Sequence, residues 1–507
     1  MGDDKVLKIL EMCYINNAGP FDPPHARQRN TPFHHALMTN RIRTIFGLLF
    51  STAMLIASIQ VVSAQDPRPP MLQDLQVQRE PVQVLPSSPP LVVKTGSAQP
   101  AFPVGLPSST GIRTLFPVLA EVEVPGTSGI LVESLEGNVV AETNAGAAFN
   151  PASNVKIATA FAVLKTFGPN HRFATQIYTD GAVNAATQTL TGNIYVTGKD
   201  PMFGYQHAVA VAQELNRLGI RFVSGDLIVT DNFVMNYSGS PAGSAQMLYA
   251  TLDMSKRSAA ATRNWTNYLS HSGQLSKVNG TPSVSFTGAL YVQPIPSTLQ
   301  HLFTHESTEM REILKVTLCY SNNFLSERLG DLVGGPYGVA RLVQQFAVVP
   351  QHEFSLATAS GLGYNRVTPN AMMKLLRTFR TDLTRYKMTF NDIMPVAGID
   401  KGTLEGRFDT DFARGSVVGK TGTLGNTDGG VSSLAGEINT RNGRLLFVIF
   451  NQRGGVARFR SFQNYFVSLV QGQFGGAQAM QYDATSLETR MTRSRVVSPN
   501  SPALRGD

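Results

Sequence analysis

The sequence predicts an α+β protein: an antiparallel sheet flanked by helices, with a separate α+β region inserted in mid-chain. Two observations predict it. Short β-type runs open the foldable part of the chain at 129–135 and 139–143, and three more close it at 416–424, 431–438 and 444–451. The stretch between them is helical at its edges, and a last helical segment follows at 456–470. One sheet built from both ends of the chain, with the middle threaded between, accommodates that order.

The N-terminus comes first. Residues 45–62 are the one long apolar run, preceded by Arg41 and Arg43 and followed by Val62-Ser63-Ala64. Positive region, apolar core and small-residue exit are the parts of a secretory signal peptide, expected here over 38–64. Residues 1–37 are then expected to be an upstream extension, with Met38 as the start. The alternative is an uncleaved membrane tether, since the run approaches the length of a spanning helix. Both readings place the rest of the chain outside the cytoplasm, so an exported, periplasmic or otherwise extracytoplasmic protein is expected. Residues 65–108 carry Pro67, Pro69, Pro70, Pro81, Pro86, Pro89 and Pro90 among Gln and Ser, a composition that forms no core. They are expected to be a disordered linker, and the polar segment 476–507 a disordered tail.

Between these lie a main domain, 109–169 with 291–475, and an insertion, 170–290. Glu136-Gly137-Asn138 joins the first two β-type runs as a hairpin. The next helix starts at Pro151 and runs to Lys165, with Gly168-Pro169 as its stop signal. The insertion shows β-type pieces at 192–197, 225–230, 284–286 and 289–292, with one helix at 207–218. Helices are expected at 309–319, 323–333 and 337–346. The final three β-type runs are separated by Gly-Asn-Thr-Asp-Gly-Gly and Asn-Thr-Arg-Asn-Gly, both turn sequences, so they form an antiparallel meander.

Composition narrows the function classes. Charged residues are 15% of the 507, below the roughly 25% of ordinary soluble proteins. The net charge of +8 is spread out, with no basic block interleaved with aromatics, which argues against a nucleic-acid partner. A mild positive balance suits an anionic polymer such as cell wall. The two cysteines, Cys13 and Cys319, build no disulfide framework and stand in no metal-ligand spacing. Cys319, between Leu318 and Tyr320, reads as a buried core thiol. No cofactor or metal is called for.

Three motifs carry chemistry. In Ser153-x-x-Lys156 a helical spacing of three sets hydroxyl and amine side by side, and a lysine of depressed pKa can activate a serine. Burial and a second cation would depress it. Ser321-Asn322-Asn323 opens a helix, where Ser321 could relay a proton and Asn323 hold substrate and Lys156. Lys420-Thr421-Gly422-Thr423 lies in a β-type run, where a cation and hydroxyls on a strand edge can hold a carboxylate beside an extended peptide. Gly422 would let that peptide approach closely. Each motif alone is explained as well by helix capping, a solvated lysine or a bulge. Together, in this order and on these elements, they match the Ser-x-x-Lys, Ser-x-Asn and Lys-Thr-Gly signature of penicillin-binding proteins and class A β-lactamases.

The wider sequence resembles one family. Phe149-Asn-Pro-Ala-Ser153-Asn-Val-Lys156, Tyr320-Ser321-Asn322-Asn323, the segment from Ser360 to Pro369 and Val396-Ala-Gly-Ile-Asp-Lys-Gly-Thr403 are similar to the D-alanyl-D-alanine carboxypeptidase/endopeptidase family typified by penicillin-binding protein 4, peptidase family S13. Gly198-Lys-Asp200-Pro and Gly225-Asp226-Leu-Ile-Val look like pieces of its inserted domains, and Ser153 and Ser321 stand 168 residues apart, which leaves room for them. The resemblance covers roughly 115–470. It implies a penicillin-binding-protein/β-lactamase-like transpeptidase fold, peptidoglycan stem peptides as substrate and β-lactam antibiotics as inhibitors. It also implies roles. Ser153 is the nucleophile and Lys156 its base, Ser321 and Lys420 pass the proton to the departing amine, and Asn323 orients the peptide. Thr421 and Thr423 bind the terminal carboxylate directly or through water, and the backbone N–H groups of Ser153 and Thr423 form the oxyanion hole. Glu353, in a faint likeness of the class A deacylating motif, is assigned no role. The competing readings are a β-lactamase or esterase of the same superfamily and a non-catalytic wall-binding or penicillin-sensing protein.

Overall fold

A computed structural model describes residues 111–277 and 280–499. The expected extension, signal segment and linker (1–37, 38–64 and 65–108) lie outside the described residues, as does the question of a membrane tether.

The first and last β-type runs do pair. The main sheet has six strands in the order Arg113–Thr114, Val139–Thr143, Thr127–Ser134, Gly443–Gln452, Val431–Thr440, Val417–Leu424. Every neighbouring pair is antiparallel. The junction of the two chain ends is the ladder in which Ile449 faces Ile130 and Phe447 faces Val132. Side chains alternate between two cores, as a period of two requires. Ile130, Val132, Phe447 and Ile449 meet Phe462, Phe466 and Val470 of the helix Val456–Gln473. Leu131, Val448 and Phe450 face the other way, onto the helices Val155–Phe167 and Pro369–Arg385. A sheet covered on both faces explains why Val431–Thr440 is buried at every residue.

Pro369–Arg385 is a helix that the sequence reading passed over. Thr368 caps it by accepting from Ala371 N, Pro369 sits in its first turn, and Met372, Leu375, Leu376, Phe379 and Leu383 form its buried stripe. Each such side chain contributes roughly 1.5–3 kcal/mol on burial.

The insertion is larger than expected. A second six-stranded sheet runs Leu290–Val292, Leu227–Val229, Ile194–Gly198, Ala174–Thr179, Gln300–Glu306, Arg495–Val497. Beside it is a small four-stranded sheet, and three helices rather than one cover them: Tyr205–Arg217, Pro241–Leu252 and Ala259–His271. Their core is separate, built on Ile177, Val196, Phe203, Leu227, Leu248 and Phe303. The boundary drawn at 290 is therefore too early, because Gln300–Glu306 completes the inserted sheet. The tail is corrected too. Over 476–499 it is folded: Leu487–Met491 is helical and Arg495–Val497 pairs with Gln300–Glu306. Its polar sequence concealed this because it docks through backbone pairing and ion pairs. Arg490 and Arg493 both hold Glu312, and Arg495 holds Glu306.

Candidate active site

Ser153 sits in a single 3-10 turn, Ala152–Asn154, that leads directly into the helix Val155–Phe167. The turn is forced. Ala152 is fully buried with φ at 46°, a left-handed conformation that costs a non-glycine residue energy. Its surroundings hold it there. Asn150 Oδ1 accepts from Ala152 N (3.0 Å), while Asn150 Nδ2 donates to Gly363 O and Asp428 Oδ2, both at 2.8 Å. Asp428 in turn is gripped by the Arg366 guanidinium through two bonds. Ser433 Oγ donates to Pro151 O (2.6 Å).

Lys156 is 1% exposed, and its Nζ lies 3.0 Å from Ser153 Oγ, 2.7 Å from Asn323 Oδ1 and 2.6 Å from Ser360 O. Burial holds its pKa well below the ordinary lysine value, and the positive charge of Lys420 pushes the same way, against the opposing carboxylate of Glu327. Both causes named from sequence are present. The Glu327 carboxylate also accepts from Ala359 N (3.1 Å) and Ser360 N (2.9 Å), which fixes the carbonyl that Lys156 uses.

The second motif divides its labour. Asn322 is the helix cap, accepting from Leu325 N, and Asn323 is the residue that reaches Lys156. Ser321 precedes them with φ at 55°, a second strained position in the site. Among the described residues its hydroxyl has no hydrogen-bond partner. Gly402, at φ 117°, lies where a Cβ would meet Cys319 O at 2.2 Å, so only glycine lets that loop cover the turn before Ser321.

Lys420, Thr421, Gly422 and Thr423 lie on the edge strand Val417–Leu424. The loop at Val396 bridges to Val418, which closes one end of that edge and leaves 420–424 open. Lys420 is fully buried, donates to Thr421 O (2.8 Å) and is pushed down to about 7 by burial. Thr421 is nearly buried and Thr423 is exposed. Gly422 is required by the packing on its inner side as well. A Cβ there would lie 2.1 Å from Ser433 Oγ, 2.7 Å from Pro151 O and 2.9 Å from Ala152 Cβ. Its missing side chain makes room for the turn that carries Ser153. Gly361, at φ 89°, does the same from the other side, where a Cβ would lie 1.9 Å from Ala152 O.

Three segments far apart in the chain thus converge on one serine. A family model for the D-Ala-D-Ala carboxypeptidase 3 (S13) family matches residues 117–242 and 255–469, which contain all of them. The chain belongs to that family. As an S13 peptidase it is a serine-type hydrolase with the penicillin-binding-protein fold. It is 24% identical over 427 residues to a D-alanyl-D-alanine carboxypeptidase of Actinomadura sp. strain R39, covering 64% of this chain and 77% of the relative. Among solved structures, a penicillin G-acylated predatory endopeptidase of Bdellovibrio bacteriovorus, in complex with an immunity protein, superposes with a TM-score of 0.63 at 20% identity. The match spans 73% of this chain and 100% of that one. Penicillin-binding protein 4 of Haemophilus influenzae gives 0.51 at 20% identity over 69% and 97% of the two chains. At these identities the structures establish the fold of the S13 peptidase.

Sequence reasoning missed the residues that hold the site together: Asn150, Glu327, Ser360, Arg366, Asp428 and Ser433. Asn150, Ser360 and Arg366 stood inside the segments that carried the family resemblance. Nothing local marks Glu327 or Asp428, whose partners are 32 or more residues away. Glu353 engages Thr368 through its side chain and backbone carbonyl.

Proposed function

We propose that this S13 peptidase removes the terminal D-alanine from peptidoglycan stem peptides, or cuts the cross-links made at the same position, through an acyl-enzyme on Ser153. The observation that carries it is the buried, charge-suppressed amine of Lys156 at 3.0 Å from Ser153 Oγ. A neutral amine in that place takes the hydroxyl proton as Oγ attacks the carbonyl of the penultimate D-alanine. The peptide lies along the open edge at 420–424 as an added strand, with Asn323 on its backbone. The oxyanion faces the backbone N–H groups of Ser153 and Thr423. When the tetrahedral species collapses, the C–N bond breaks and the amine leaves with a proton passed through Ser321 under the charge of Lys420. Water then hydrolyses the ester and restores Ser153. The two activities share this acyl-enzyme and differ only in the amine that leaves.

A β-lactam acylates the same serine, and its amine stays attached to the adduct. Glu353, tied to Thr368, offers no deacylating base beside Ser153, which favours a long-lived penicilloyl ester. The succession of charged, apolar and small residues along 41–64 of the sequence supports action outside the cytoplasm. The test is intact-protein mass spectrometry after brief exposure to penicillin, beside Ser153→Ala. A stable adduct on the parent alone, with D-alanine released from a D-Ala-D-Ala peptide, is expected. A parent that neither labels nor hydrolyses penicillin would refute the reading.

A further inference from the structure

The helix Asn323–Asp331 does more at the site than deliver Asn323. Asn323, Glu327 and Gly330 follow one another at i, i+4 and i+7, a spacing that sets them along one face. That face lies against Ala359 and Ser360. Asn323 Oδ1 accepts from Lys156 Nζ at 2.7 Å. Glu327 accepts from Ser360 N on Oε1 at 2.9 Å and from Ala359 N on Oε2 at 3.1 Å. At Gly330 a Cβ would lie 2.3 Å from Ala359 Cβ, so the glycine lets this segment settle onto the helix. The helix Val155–Phe167 holds the same segment from its other side. Thr159 Oγ1 donates to Ala359 O, and Lys156 Nζ donates to Ser360 O, each at 2.6 Å. Each backbone N–H and C=O of Ala359 and Ser360 is thereby engaged. Ser360 stands between an acid and a base, with Glu327 on its N–H and Lys156 on its carbonyl.

The charge of Glu327 is not spent on a neighbour. It forms no ion pair among the described residues, and Arg328 beside it turns to Asp331. Three influences meet at Lys156: burial and the Lys420 cation weaken its hold on a proton, and Glu327 opposes them. The helix Met310–Cys319 brings Cys319 near Lys420, but burial pushes that thiol up to about 12 and leaves it neutral. Lys315 of the same helix is paired with Asp400 at 2.7 Å. The opposition at Lys156 matters because a base depressed too far is a poor proton acceptor, and transfer is most efficient when its pKa stays near the working pH.

We propose that Glu327 is a positioning residue of the reaction: by gripping the amides of Ala359 and Ser360 it aims the carbonyl that orients Lys156, and its charge keeps that amine basic enough to take the Ser153 proton. The proton passes from Ser153 Oγ to Lys156 Nζ as the bond from Oγ to the substrate carbonyl forms. Glu327 exchanges no proton and acts through Lys156. The inference rests on the DD-peptidase reading and adds to it the group that sets the pH range of the reaction.

The experiment follows the stopped-flow rate of Ser153 acylation by penicillin against pH, in the full protein and in Glu327→Gln, Glu327→Asp and Thr159→Val. Glu327→Gln removes the charge and turns an amide donor toward one of the two backbone N–H groups. It should move the acid limb to lower pH by about one unit and lower the plateau by roughly tenfold. Glu327→Asp keeps the charge, so the limb should stay in place while the plateau falls in part. Thr159→Val loosens the same segment without touching a charge, and it too should lower the plateau and leave the limb unmoved. Total penicillin incorporated counts the folded sites in each variant. If Glu327→Gln lowers the whole profile without moving the limb, moves the limb upward or leaves the profile as in the parent, the proposal is overturned while the peptidase stands. If the parent takes no penicillin at any pH and releases no D-alanine, the DD-peptidase reading fails and this proposal with it.

Discussion

Gly422 shows how a motif residue can serve the packing behind a site as well as the edge it stands on. Its absent side chain faces Ser433, Pro151 and Ala152, the underside of the nucleophile turn. Gly422→Ala should push Ser153 out of line with Lys156 and cut the rate of penicillin acylation by about a hundredfold, since a displacement near 1 Å has that cost. Stopped-flow acylation, with thermal melting as the control for folding, checks it. The lysines make a second prediction. Lys156 must be neutral to act, so acylation falls as pH drops through its depressed pKa and is already near its plateau where an ordinary lysine would be charged. Lys420→Met removes a neighbouring cation, raises the Lys156 pKa and moves that acid limb to higher pH. The limb's position, and not the height of the plateau, is the readout; an unmoved limb would mean that burial alone sets the value. Glu353→Gln should leave acylation and deacylation nearly unchanged, because its carboxylate serves Thr368.

At the scale of elements, the segment 480–497 is the one most at odds with its composition. Tyr482 OH donates to Asp400 Oδ1 (2.7 Å), and Asp400 Oδ2 holds Lys315, a fully buried cation in the helix that presents Ser321. Lys315 also donates to the carbonyls of Asn391 and Met394. The tail thus secures the base of the second motif and, through Arg495–Val497, the edge of the inserted sheet. Truncation after residue 476 should lower Tm by roughly 5–10 °C, equivalent to a few kcal/mol for a domain of this size. Asp400→Asn leaves Lys315 buried without its counter-ion and should cost about 3–5 kcal/mol in denaturant unfolding. The helix Pro369–Arg385 was equally hidden, but for another reason. Its cap and apolar stripe were legible at Thr368-Pro369 and Met372 to Leu383, and lay in the shadow of the motif segment that precedes them.

At the scale of the molecule, the inserted domain carries its own pH sensitivity. His207 and His305 are buried with their rings 4.8 Å apart, framed by Phe203 and Tyr268. His207 Nε2, both ring nitrogens of His305, Asp200 Oδ2 and Thr175 Oγ1 find no partner among the described residues. Burial lowers His207 to about 4 and His305 well below its ordinary value, where His207 adds to the effect. A base with a lowered pKa in the fold contributes stability above its unfolded value near 6.5 and loses it as pH falls. Asp200, raised to about 7 by burial, runs the other way: its contribution is full below its ordinary 3.8 and fades as pH rises through 7. Melting temperature should therefore fall as pH drops from 6.5 toward 4, and His305→Phe should flatten that slope. Equal slopes in the two proteins would place the acid sensitivity elsewhere. None of this cluster was foreseen, because each member is unremarkable until two strands and a helix bring them together.

By itself the sequence determined the sheet made from both chain ends, the meander, the helix that opens at Asn323 and the three motifs that the fold brings together. Those features rest on local periodicity, turn chemistry and motif order, which need no knowledge of distant contacts. Only the tertiary structure decided why the site works. The strain at Ala152 is sustained by its neighbour Asn150, which is itself held by Asp428, and by the room left at Gly361, both remote in sequence. The pKa of Lys156 depends on its burial and on Lys420, 264 residues further along the chain. The folding of the tail depends on a free sheet edge and on Glu312, whose two arginine partners lie nearly two hundred residues away. Desolvation, charge proximity and edge pairing are properties of positions in space, and the linear order of residues does not state them.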